Sequence, residues 1–177
     1  MGCVPGPPVR LLENGSVGNT LSGMAITQSI LVATDFSEAA RFGLEKAGEL
    51  AREVGAKVTV CHVLDPSPLA PIATRGEAAK QLEVEQDVEK AIHAALTEVV
   101  EKHFGDIEKT KTALIISPNA ADGICHYAQK EDVDLIVIST HGRTGLAHLL
   151  IGSVAENVVR HSPCPVLSVR SPVQGER

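Results

Sequence analysis

The chain predicts an α/β domain, an open five-stranded parallel sheet with helices on both faces. Two observations lead there. Five short runs rich in Val, Ile and Leu are separated by longer amphipathic stretches, the alternation expected of βαβ units with right-handed crossovers. Apolar residues make up 44% of the 177 positions but aromatics only 2%. One core of Val, Ile, Leu and Ala is therefore implied, which suits strands buried on both faces beneath Ala-rich helices.

The elements follow in order. Met1–Gln28 is rich in Gly, Pro, Ser and Asn without a sustained period, and reads as a flexible extension or as an upstream start preceding Met24. The first strand is Ile30–Thr34, followed by a helix over Glu38–Val54 that ends at Gly55. The second strand is Lys57–Leu64, after which Pro66, Pro68 and Pro71 force an irregular loop. A long helix over Gly76–Phe104 carries Val84, Val88, Ala91, Ile92, Ala95 and Val99 at helical spacing, and would measure roughly 40 Å. The third strand is Thr112–Ile116, the third helix Ala121–Lys130, and the fourth strand Leu135–Ser139. A helix over Val154–His161 and a strand over Val166–Val169 complete the domain, with residues 171–177 as a tail.

Charge and cysteine use narrow the function classes. The net charge is −6 and the 16 Lys and Arg residues are scattered, so the basic stripe of a nucleic-acid partner is missing. Cys3, Cys61, Cys125 and Cys164 are widely spaced, without a C-x-x-C pair or zinc spacing. This points to a reducing compartment, with Cys61 and Cys164 acting as small hydrophobes in strand patterns. No apolar run approaches the roughly 20 residues that span a bilayer. The start lacks a secretory pattern, and Pro5 and Gly6 break the myristoylation motif suggested by Met1-Gly2-Cys3. A cytoplasmic protein with no membrane partner is expected.

Ile138–Val154 carries the chemistry. The fourth strand passes through glycine turns at Gly142–Gly145 and Gly152–Ser153 before a helix begins. Ser153 and Glu156 fit the S-x-x-E capping box, which starts that helix at Ser153 with its N–H groups facing the loop. Such an N-terminus attracts anions, phosphate first. From one glycine pair alone, the segment reads as a tight turn and an ordinary cap. Asp35, closing the first strand, either accepts hydrogen bonds from a ligand or helps cap the next helix. Arg143 either pairs with phosphate or is solvated. His141 and His148 have no Asp or nucleophile nearby in sequence to make them catalytic. The chain has no P-loop, dinucleotide fingerprint or nucleophile elbow. Without a base or a carboxylate cluster for Mg2+, efficient phosphoryl transfer is not expected.

The same segment resembles the nucleotide-binding signature of the universal stress protein family, G-x2-G-x9-G-[ST]. Gly142, nine intervening residues, Gly152 and Ser153 match it, and Ser139 stands in place of the first glycine. The opening strand through Ser37, His62-Val63 and the closing Pro163–Val169 extend the resemblance over Ser29–Arg170. It implies the strand order 3-2-1-4-5 and a ligand site at the switch point between strands 1 and 4. The implied ligand is ATP, with AMP or another adenine nucleotide as alternatives and Mg2+ accompanying ATP.

By the same resemblance, Ala33, Thr34 and Asp35 would contact the nucleoside, and the Val63 main chain the adenine edge. Ile138 and Ser139 would line the ribose and α-phosphate region. Gly142, Arg143, Gly152, Ser153 and Val154 would meet phosphates. A side chain at Ser139 either fits or crowds the ligand. The family turn G-x-P-A-x-x-I reads Pro118-Asn-Ala-Ala-Asp-Gly-Ile124 here, a change expected to be remote from the site. A homodimer through the fifth strand is implied as well, that strand being an unpaired edge. The expected function is an ATP-binding regulatory module in a stress response. A slow ATP hydrolase and a scaffold with a vestigial pocket remain as alternatives.

Overall fold

The structure, a computed structural model, describes residues 27–66, 78–107, 110–140 and 152–170, of which 78–83 by backbone alone. Its elements are β1 (Ser29–Ala33), α1 (Glu38–Val54), β2 (Lys57–Leu64), α2 (Ala78–Phe104), β3 (Lys111–Ile116), α3 (Ala120–Lys130), β4 (Leu135–Thr140), α4 (Ser153–His161) and β5 (Val166–Arg170). The strands form one parallel sheet in the order β3-β2-β1-β4-β5. In register, Ile30 faces Val58 on one side and Leu135 on the other. The predicted fold class and strand order hold.

Strand alternation divides the core in two. Ile30, Val32, Val58 and Val60 pack under α1 and α2 with Leu44, Ala47, Leu96 and Phe104. Leu31, Cys61, Ile136 and Ile138 pack under α3 and α4 with Ile124, Ala128, Ala155 and Val158. Each fully buried Val, Leu or Ile contributes about 1.5–3 kcal/mol relative to exposure, and the central strands carry seven at 0% exposure: Ile30, Leu31, Val32, Val58, Val60, Ile136 and Val137.

Local signals set the helix ends near the site. The Ser37 side chain accepts the Ala40 N–H and caps α1, which ends at Gly55 in the left-handed region, φ 71°. At the opposite end of the sheet, Asp134 Oδ2 accepts the N–H groups of Gln28 and Ser29 at 2.9 and 3.0 Å. Gln28, assigned by sequence to the extension, is thus tied to the sheet.

Three expectations need correction. Thr34 lies just beyond β1, although its N–H still donates to the Cys61 carbonyl at 2.9 Å. On α2 the buried stripe runs through Ile92, Leu96, Val99, Val100 and Phe104. Val84 is 52% exposed and Ala91 exposed, because a stripe centred on Leu96 turns both outward. Cys164 precedes β5 in a turn, where its N–H donates to Ser162 Oγ. The proline loop beyond Pro66, the expected helix start at Gly76 and most of the N-terminal extension lie outside the described residues. Among the described residues, no helix is long and apolar enough to cross a membrane.

Candidate functional site

The carboxyl ends of β1, β2 and β4 open into a cavity of about 260 Å³ between α3, α4 and the start of α1. Nine of the eleven residues singled out by sequence line it: Ala33, Thr34, Asp35, Val63, Ile138, Ser139, Gly152, Ser153 and Val154. The other two, Gly142 and Arg143, lie outside the described residues, as do His141 and His148.

The wall from β1 is shaped by a tight turn. Thr34 Oγ1 accepts the Phe36 N–H at 3.0 Å, and Asp35 Oδ1 accepts the Ser37 N–H at 3.0 Å. The N-cap role belongs to Ser37. Phe36 takes φ 61°, a left-handed conformation costing a bulky residue about 1–2 kcal/mol. The Thr34 bond and a ring contact with His62, centroids 4.7 Å apart, offset that cost. His62 Nδ1 lies 2.9 Å from the Thr34 carbonyl. Since a carbonyl can only accept, Nδ1 carries the hydrogen, and β2 is fastened to the β1 turn.

The α4 wall differs from the expected capping box. The helix starts at Ser153, but the N-cap is Gly152 and no side chain caps it. Glu156 donates its N–H to the Gly152 carbonyl at 2.9 Å, while its carboxylate takes Arg160 at 3.0 Å, so it does not reach back. The N–H groups of Ser153, Val154 and Ala155 precede the first intrahelical donor, the Glu156 N–H, and have no acceptor within the helix. All three residues line the cavity.

Ser139 does not send its hydroxyl toward the α3–α4 side. Ser139 Oγ accepts the Gly43 N–H at 2.9 Å and donates to the Ala40 carbonyl at 3.2 Å, both on α1. The α3 turn, expected to be remote, contributes Ala120 and Ile124 to the lining. One helical turn separates these two residues, so they face the same way. Ser37, Ala40, Cys61 and Ala155 also line the cavity and were not singled out by sequence. The capping position of Ser37 was the available signal; the alanines carry none.

The chemistry of this lining favours holding a ligand. Burial pushes the Cys61 thiol up to about 12, so it is not a thiolate nucleophile near neutral pH. Among the described residues, the lining offers one carboxylate, Asp35, and one imidazole, His62. No group of three His, Cys, Asp or Glu residues there could hold a metal ion.

Comparison with known proteins agrees on a single family. A family model described as the universal stress protein family matches residues 27–170. The universal stress protein MJ0531 of Methanocaldococcus jannaschii is 33% identical over 153 residues, covering 85% of this chain and 86% of that protein. Among solved structures, hypothetical protein MJ0577, described as a structure-based assignment of biochemical function, has TM-score 0.68 and 27% identity. That likeness covers 83% of this chain and 98% of the other. A universal stress protein in complex with cAMP has TM-score 0.62 and 26% identity, covering 82% of this chain and 98% of the other.

Proposed function

The chain belongs to the universal stress protein family, and on that premise we propose that it is a regulatory module holding an adenine nucleotide, foremost ATP, in the cavity between β1 and β4. The uncapped start of α4 carries the reading. Ser153, Val154 and Ala155 bring helix N-terminal amides to the lining, and such amides favour phosphate through hydrogen bonding and the helix dipole. The similar structure in complex with cAMP supports an adenine nucleotide as the class of ligand.

In this reading Gly152, Ser153 and Val154 meet phosphates, together with Gly142 and Arg143 of the intervening segment. Ile138 and Ser139 form the wall beside the ribose. Asp35 accepts hydrogen bonds from the ribose end, and Ala33, Thr34 and the Val63 main chain contact the nucleoside. Mg2+ would arrive on the triphosphate, because the described lining supplies a single carboxylate. A nucleophile–base pair is not part of the described lining, so the proposed role is binding with at most slow hydrolysis.

A homodimer through β5 belongs to the same proposal. Among the described residues β5 ends the sheet, and an edge strand offers a row of backbone groups to a second copy. Val166 packs toward one core, and Leu167 and Val169 toward the other.

The test is to unfold the purified full-length chain and identify released nucleotide by chromatography and mass spectrometry. Adenine nucleotide carried through purification supports the module. A chain that carries none and takes up none from millimolar ATP fits the scaffold alternative instead. Turnover that persists at constant specific activity through repeated purification would move the reading to hydrolase.

A further inference from the structure

The last residues of β4 face opposite ways. Ile138 is buried in the cluster under α3 and α4, whereas the Ser139 hydroxyl turns to α1 and binds the Gly43 N–H and the Ala40 carbonyl. Both partners are backbone groups inside α1. The hydroxyl ties two elements together where they meet at the cavity, which Ala40 lines from α1 and Ser139 from β4.

The tie has a steric condition. A Cβ placed on Gly43 would collide with Ser139 Oγ, and would lie 3.4 Å from the Ser139 nitrogen and 3.6 Å from its Cβ. Oγ is two bonds from the strand Cα and held by two hydrogen bonds, so it has little room to yield. Glycine is unfavourable in a helix interior, and α1 runs 17 residues with Gly43 at its sixth. The close approach of Ser139 accounts for its presence.

We infer that Ser139 is a positioning residue for the nucleotide site, acting through Ala40 and Gly43 and not as a ligand. Its hydroxyl fixes the start of α1 against the end of β4 and so sets the spacing of two cavity walls. Serine at 139, where the family signature has glycine, is accommodated because residue 43 has no side chain. The inference rests on the adenine-nucleotide reading above.

A double-mutant cycle on the full-length chain tests it, with ATP affinity by calorimetry and thermal midpoint as readouts. Gly43→Ala should weaken ATP binding about tenfold and Ser139→Gly about threefold, while the double variant returns to within about twofold of the unmodified chain. The effect of Ser139→Gly thus changes sign, because an alanine methyl at 43 occupies the space the hydroxyl vacates. Ser139→Ala, which keeps Cβ and loses both bonds, should weaken ATP binding about threefold without unfolding. It decides the matter should Gly43→Ala not fold. Additive affinities in the cycle, or natural affinity in Ser139→Ala with only its midpoint lowered, would overturn the positioning role. If the unmodified chain binds no adenine nucleotide, the functional reading fails and the positioning role with it. The sign change in thermal midpoints would then still decide whether Ser139 is fitted against Gly43.

Discussion

Replacing Gly152 with valine separates the phosphate contacts from the fold. Gly152 has φ −54° and ψ 145°, an extended conformation open to a β-branched residue. A Cβ built there meets nothing within 4 Å among the described residues. The fold should therefore lose little beyond the preference for glycine over valine at an N-cap, about 0.5–1 kcal/mol. The proposed ligand loses more, since the added methyls fill the space beside the Ser153 and Val154 N–H groups. Hydrogen bonds to a charged group contribute about 1.5–3 kcal/mol each. Losing two gives at least about 3 kcal/mol, and 3 kcal/mol corresponds to a roughly 100-fold weaker Kd. Calorimetry of ATP against both proteins measures this, with adenosine as control. Adenosine has no phosphate and should bind both alike. Gly152→Val that melts like the unmodified chain and binds ATP with the same Kd would refute the phosphate role of α4. A parallel loss of adenosine would show that the substitution acts on the whole cavity.

Other expectations test the packing, the buried thiol and the assembly. Leu96→Ala should cost about 2–5 kcal/mol in denaturant unfolding because Leu96 is fully buried, whereas Val84→Ala should stay within about 0.5 kcal/mol; similar costs would contradict the α2 face. The Cys61 thiol is raised from 9.0 to about 12 by burial, so the folded state holds this proton more tightly than the unfolded chain does. Its contribution is complete below pH 9 and is lost as pH rises toward 12. Cys61→Ala should flatten that alkaline decline in stability, and an unchanged limb would remove Cys61 as its source. Sedimentation of the unmodified chain at tens of micromolar should show a dimer; a monomer there would end the β5 proposal while leaving the nucleotide site intact.

The strands were legible because parallel strands buried on both faces leave continuous apolar runs, as in Ile30–Val32 and Ile136–Ile138. Strand order was not in the periodicity and came from family resemblance. The candidate site was legible at Gly152 through the spacing of the family motif, and at Asp35 because a short polar side chain closes the strand–helix turn by accepting the Ser37 N–H. Contributions that depend on tertiary placement were missed. Ala120, Ile124 and Ala40 line the cavity as ordinary helix residues. The capping box at Ser153 was misread because Glu156 has a competing partner four residues on, Arg160. Two carboxylate options were open, and sequence alone does not choose between them. Ser139 and Gly43 are 96 residues apart, so their close fit became visible once β4 was packed on α1.

Backbone amide chemical shifts of the 15N-labelled full-length chain during titration with ATP test the proposed site most directly. The account predicts saturable shifts at Ser153, Val154, Ala155 and Val63, with one ATP bound per chain. Adenosine should move Val63 while leaving the α4 amides nearly still. ATP that leaves those four amides unmoved, or that shifts a different surface, would contradict the site.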